Sequence, residues 1–211
     1  MQIIRPQKLN KGDKVAAITL SWAGAATIPY RYETGKKQFE EAFGCEVIET
    51  PNALKDNDFI YNNPKARADD LMWAFKNPEI KAVISIIGGD DSIRILPYID
   101  FDVIKSNPKI FMGYSDSTVT NFICLKAGLE SYYGPTFMSG FAENCGIHPY
   151  EKECVEKILF SDGHQVLSEN KDGWTVQFLS WENPENQKIK RKLEKSDGWK
   201  VLQGNMNLAV C

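Results

Sequence analysis

The 211 residues are enough for one large domain, or for one domain and part of another. With 43% hydrophobic and 25% charged residues the chain has the means to bury a core. Its net charge of -3 and pI near 5.5 supply no basic footprint for nucleic acid or an anionic membrane surface. No apolar run reaches bilayer-spanning length, and the opening M-Q-I-I-R-P-Q-K-L-N-K-G-D lacks the layout of a signal peptide, so the cytoplasm is the expected compartment.

K-V-A-A-I-T-L-S, Lys14 to Ser21, is apolar and follows Gly12-Asp13, which predicts a buried strand. Helical periodicity follows in Y-E-T-G-K-K-Q-F-E-E-A-F, with Phe39, Ala42 and Phe43 on one face, and C-E-V-I-E-T (45–50) predicts a short strand. The next helix opens with Asn63 as cap and Pro64 at its first position, and buries Leu71, Trp73, Ala74 and Phe75. Ile80 to Gly88 is rich in β-branched residues, the composition of a strand covered on both faces. A short helix interrupted by Pro97, a strand from Pro108 to Tyr114, a helix ending at Gly128, a strand in E-S-Y-Y-G-P-T-F and a helix in Y-E-K-E-C-V-E-K-I-L-F complete the series.

This alternation predicts an α/β fold, a parallel sheet with helices on both faces, over residues 1–162. Beyond Gly163 the alternation stops. Q-V-L-S-E, G-W-T-V-Q-F-L-S-W and G-W-K-V-L-Q-G read as strands around a charged segment, Glu182 to Asp197, so residues 163–211 are expected to be a linker and the incomplete start of a β-rich second domain. This piece is too short for a core of its own, and its tryptophans are expected to leave apolar surface exposed.

Ligands of parallel sheets bind beyond the carboxyl ends of the strands, and two glycine- or serine-bearing segments fall there. In G-Y-S-D-S-T (113–118), Ser115 sits where a strand hands over to a helix, as in a nucleophile elbow, although Ser117 replaces the second glycine of G-x-S-x-G. The same position suits a helix cap by Ser115 or Asp116, and the hexamer leaves both readings open. I-I-G-G-D-D-S (86–92) can aim bare backbone N–H groups at a ligand from Gly88 and Gly89. No lysine follows and two aspartates would repel phosphate, so an oxyanion contact suits it better than a phosphate loop, with a plain tight turn as the alternative. The two histidines, His148 and His164, read as surface residues. The five scattered cysteines form no C-x-x-C and no zinc spacing, and read as reduced thiols that mostly fill core space. Trp174, Trp181 and Trp199 read as packing residues, although Trp181 in S-W-E-N-P could stack on a planar ligand.

Taken in order, G-G-D-D-S-I-R-I-L-P-Y-I-D, N-P-K-I-F-M-G-Y-S-D-S-T and Y-Y-G-P-T-F-M-S-G-F-A-E-N resemble the LD-carboxypeptidase family of serine peptidases, nearer its microcin C self-immunity branch than its murein branch. The resemblance implies a Ser-His-Glu amide hydrolase without metal or organic cofactor. Its substrates would be a peptidyl-nucleotide or a murein LD-peptide, and a homodimer is compatible with it. Ser115 would be the nucleophile, and the N–H groups of Asp116 and Gly89 the oxyanion hole. Gly88 and Asp90 would border the substrate, and Trp181 would face a nucleobase. In the family the triad Glu and His follow the W-x-x-L-Q-G region. Here no glutamate follows Glu194 and no histidine follows His164, so the chain is expected to be C-terminally truncated and nearly inactive by itself. The alternatives are a shortened, non-catalytic binder of a peptide or nucleotide conjugate and, last, a general small-ligand domain.

Overall fold

The computed structural model describes residues 3–200 and 202. Five strands form one parallel sheet: β1 (Lys14–Ile18), β2 (Glu46–Glu49), β3 (Ile80–Ser85), β4 (Ile110–Gly113) and β5 (Tyr132–Tyr133), in the order β2-β1-β3-β4-β5. The order reverses between β1 and β3, and a crevice opens at such a switch beyond the strand ends.

Successive strand residues point to opposite faces, and both faces are covered. Val15, Ala17, Ala82, Ile84 and Met112 pack with Phe39 and Phe43 of α2 (Pro29–Phe43) and Val155 and Leu159 of α7 (Pro149–Leu159). Ala16, Ile18, Val83 and Phe111 pack on the other face with α4 (Pro64–Lys76), α5 (Phe101–Ser106) and α6 (Thr118–Ala127). Two short helices, α1 (Gly24–Thr27) and α3 (Asn57–Asn62), precede α2 and α4. The expected α/β architecture is the observed one.

Several local expectations change. Asn63 stands at the N-terminus of α4 but does not cap it, because its side-chain amide donates to the Phe59 carbonyl of α3 instead. The sequence reading missed α3 and α5, each six residues long and below the span over which helical periodicity is legible. The strands expected at 165–169 and 173–181 do not form. Among the described residues their region holds one antiparallel bridge, Trp174 to Glu194, and a short 3₁₀ turn, Pro184–Lys188. Of the segment expected as a strand at 198–204, residues 198–200 and 202 form no strand, and 201, 203 and 204 lie outside the described residues.

Residues 181–191 are fastened to the sheet domain by polar contacts. Arg31 donates from Nε to the Met138 carbonyl at 3.0 Å, and from Nη1 to Asn144 Oδ1 at 2.8 Å and to Gln187. Asn144 donates to the Asn186 carbonyl at 2.7 Å, and Arg191 pairs with Glu143 in a bidentate fork, Nε donating to Oε1 and Nη2 to Oε2. Of the cysteines among the described residues, Cys45 and Cys124 fill core space, but Cys154 is only half-buried and Cys145 is exposed.

Candidate active site

β4 ends at Gly113, and the chain turns at once into the helix that α6 continues. Ser115 makes this turn with φ of +58°, a left-handed conformation that a non-glycine residue rarely adopts. Its N–H donates to the Tyr133 hydroxyl at 3.3 Å, and its side chain is left exposed. The capping alternative is not realised: neither Ser115 nor Asp116 makes a side-chain cap bond at this helix start. The Asp116 carboxylate instead accepts from the Ser92 N–H at 2.9 Å, while the Ser92 hydroxyl donates to the Asp116 carbonyl at 2.8 Å. These two bonds tie the turn after β4 to the loop after β3.

The glycine pair faces the same turn. A Cβ placed on Gly88 would stand 3.0 Å from Ser115 Cβ, 3.1 Å from Ser115 Oγ and 3.3 Å from the Asp116 nitrogen. A side chain on Gly88 would crowd the serine, which would have to give by a few tenths of an ångström. Gly89 has φ of +155°, and a Cβ there would stand 2.1 Å from Ser21 Oγ. Ser21 and Trp22 follow β1, so the ends of β1, β3 and β4 converge. A cleft of about 340 Å³ is lined by Trp22, Ile87, Gly88, Gly89, Asp90, Tyr114 and Ser115.

A polar lock holds the loop after β3. Ser21 Oγ accepts from the N–H groups of Asp90 (3.0 Å) and Asp91 (3.2 Å) and donates to the Asp91 carboxylate (3.2 Å). The fully buried Arg67 donates to both Asp91 oxygens, at 2.8 and 3.2 Å, and Arg94 adds a third bond at 3.1 Å. Burial opposes the Asp91 charge, but the bonds and charge of Arg67, with Arg94 and Ser21, outweigh it and hold its pKa below the usual carboxylate value. Sequence reasoning missed Ser21, Arg67, Asp91, Trp22 and Tyr133, since nothing in their spacing marks them as neighbours. The D-D pair was visible, but not which aspartate turns inward.

Five of the six residues named from the sequence thus come together: Ser115, Asp116, Gly88, Gly89 and Asp90. Trp181 does not line this cleft. Its carbonyl accepts from the Tyr30 hydroxyl and its ring lies under the Arg31 guanidinium at 4.7 Å. His164 is exposed as expected. His148 is half-buried rather than a surface residue, with Nδ1 3.9 Å from Asp172 and Nε2 buried without a partner, because the segment after Asn170 folds over it. It lines a separate cavity of about 700 Å³ with Glu143, Glu151 and Arg191.

A strained serine facing a glycine pair at the switch of a parallel sheet defines an α/β domain with its ligand cleft at the strand ends. The family model described as the LD-carboxypeptidase N-terminal domain matches residues 15–134, and the chain belongs to that family. It is 28% identical over 208 residues to the microcin C7 self-immunity protein MccF of Escherichia coli, covering 93% of this chain and 60% of that one. A Bacillus subtilis protein named as a probable murein peptide carboxypeptidase is 32% identical over 157 residues, 74% of this chain and 47% of its own. Among solved structures, MccF with aspartyl sulfamoyl adenosine superposes with a TM-score of 0.79 at 27% identity, over 92% of this chain and 58% of that one. An MccF-like protein from Streptococcus pneumoniae with AMP gives 0.78 at 27% identity, over 92% and 57%. The chain therefore spans about half the length of these relatives. Among its described residues no helix is long and apolar enough to cross a membrane.

Proposed function

We propose that this chain is the nucleophile-bearing part of a cytoplasmic serine peptidase that hydrolyses an amide, in a peptidyl-nucleotide or in a murein LD-peptide. The observation that carries this reading is Ser115, held at φ +58° against Gly88 at the mouth of the cleft. In the proposed reaction Ser115 Oγ bonds to the amide carbonyl carbon and gives its proton to a base. The carbonyl electron pair moves onto oxygen, which the N–H groups of Asp116 and Gly89 receive. Collapse breaks the C–N bond, the amine leaves with the proton, and water hydrolyses the acyl-enzyme.

The base and its orienting carboxylate are assigned to the family's C-terminal domain, since neither histidine of this chain lines the cleft. Without them the oxyanion donors and binding supply a residual acceleration of roughly 10³–10⁴-fold over water. The family resemblance implies that Trp181 faces the nucleobase of a peptidyl-nucleotide, while in this structure its ring lies beneath the Arg31 guanidinium, outside the Ser115 cleft. A homodimer fits the same family reading.

The test follows both substrates by mass spectrometry, with the 211-residue chain and with the protein at the mass its own cell produces. Full turnover is expected only from a longer chain, and Ser115→Ala should abolish it. Hydrolysis by the 211-residue chain that survives Ser115→Ala would overturn the assignment. Binding that is indifferent to Ser115→Ala, with no turnover at any chain length, would favour a non-catalytic binder instead.

A further inference from the structure

The cavity of about 700 Å³ shares no lining residue with the Ser115 cleft, and the start of α7 forms one of its walls. His148 caps that helix by position and Glu151 lies three residues on, a spacing that puts both on one face. A glutamate so placed ordinarily turns back to accept from the N–H of the cap residue. Glu151 does not. Among the described residues no hydrogen bond or ion pair reaches its carboxyl. Its Oε1 lies instead where a Cβ on Gly140 would come within 2.6 Å, so the bare backbone of that glycine makes room for it. His148 Nε2 is likewise buried without a partner. Asp172 stands 3.9 Å from Nδ1, which favours the tautomer with its proton there and leaves Nε2 with a lone pair.

The cations nearby do not answer these two acceptors. Arg191 commits Nε and Nη2 to Glu143, and its Nη1 donates to the Gln177 carbonyl at 3.4 Å. Lys190 is exposed and makes no ion pair among the described residues. Burial and the Glu143 charge oppose ionisation of Glu151, with Arg191 offsetting only part. The cavity is therefore short of one positive charge and of N–H donors for two acceptors. One wall is also flat and apolar. Trp174 is half exposed there, and its indole N–H already donates to the Lys195 carbonyl at 3.2 Å, so its ring is what a ligand meets.

We infer that this cavity binds a small organic cation with a planar amidinium or guanidinium head. Two parallel N–H groups of such a head meet the Glu151 carboxylate, the geometry in which a fork of donors fits a carboxylate best. A further N–H reaches His148 Nε2, and the flat body lies against Trp174. The volume is within the range that holds ligands of this size. An ammonium carries the charge without the fork, and a neutral amide has the shape without the charge. Ser115 takes no part in this site.

The test titrates the isotope-labelled 211-residue chain with benzamidine, benzylamine and the neutral benzamide, and follows backbone amide signals by NMR. Benzamidine is expected to move Gly140, His148 and Glu151 while Gly89 and Asp116 stay still. It should bind at least about tenfold more tightly than benzamide, the scale of hydrogen bonds to a charged group, with benzylamine in between. Glu151→Gln, with an unchanged circular dichroism spectrum, should bring benzamidine level with benzamide. In the unsubstituted chain, benzamidine affinity should rise from pH 6 to pH 8 as Glu151 gives up its proton, while benzamide affinity holds. The inference is overturned if benzamidine binds no better than benzamide or benzylamine, or if its preference persists in Glu151→Gln or is flat with pH. Shifts confined to the Ser115 cleft, or none up to the solubility limit of benzamidine, also overturn it. None of these results bears on the proposed peptidase function, which is tested at Ser115.

Discussion

The buried guanidinium of Arg67 grips the carboxylate of Asp91, at 2.8 and 3.2 Å, and through it the loop that faces Ser115. Arg67 belongs to α4 and also donates to the Leu20 carbonyl beyond β1 at 2.8 Å. One side chain thus joins a helix, the end of β1 and the loop after β3.

Removing one partner strands the other. Asp91→Ala should destabilise the fold by about 3–5 kcal/mol, because Arg67 would stay fully buried without a counter-charge. The sign with pH follows from the depressed folded pKa of Asp91. Its contribution is present above the unfolded value near 3.8 and is lost as pH falls through the folded one. Urea denaturation of wild type and variant at neutral and acidic pH should show the gap narrow in acid. A gap below about 1 kcal/mol at neutral pH would contradict this account.

The two glycines should differ in what they tolerate. Gly88→Ala sets a methyl 3.0 Å from Ser115 Cβ, so it should displace the serine at a cost of about 1–3 kcal/mol. Gly89→Ala adds backbone strain to a contact 2.1 Å from Ser21 Oγ, and should cost more than Gly12→Ala, where φ is also positive but nothing lies within 4 Å. Melting temperatures of the three variants decide the ranking. Equal losses at Gly12 and Gly89 would show that strain alone matters.

Glu151 carries a pH dependence of the opposite sign to Asp91. Burial, with the Glu143 charge adding to it and Arg191 offsetting part, pushes its pKa up to about 7. The folded state then holds a proton that the unfolded chain releases near pH 4.5, so stability is greatest below that value and falls until about pH 7. The total fall is about 3 kcal/mol. Glu151→Gln should flatten the slope between pH 5 and 8 in urea titrations, and an unchanged slope would assign it to other groups.

The segment after Gly163 leaves apolar side chains in water. Val166, Val176 and Phe178 are 75%, 69% and 81% exposed, and Trp174 and Trp199 are about half exposed. Large exposed apolar side chains gathered in one segment favour association. Sedimentation should show concentration-dependent self-association together with hydrophobic-dye binding, both reduced by Val176→Thr with Phe178→Ser. A strictly monomeric chain that binds no dye would refute this.

Much of the sheet domain was legible because its signals are local. Ile80 to Gly88 reads as a covered strand from β-branched composition alone, and Gly128 ends α6 in the left-handed conformation that glycine favours. The segments 165–169 and 173–181 misled because alternation marks a strand only where a partner exists to pair with it. Among the described residues Trp174 finds a single bridge, and the rest of these segments find none.

The sequence by itself determined the strand and helix alternation, the glycine pair and serine at successive strand ends, and the ordered motifs that mark the family. Each of these is written in contiguous residues. Only the tertiary structure decided that Gly88 meets Ser115, that Asp91 turns inward to Arg67 while Asp90 is left unpaired, and that Trp181 docks on Arg31 outside the cleft. These pairings join residues 24 to 150 positions apart, and Gly88 meets Ser115 because parallel strands bring their carboxyl ends together however far apart they lie in the chain.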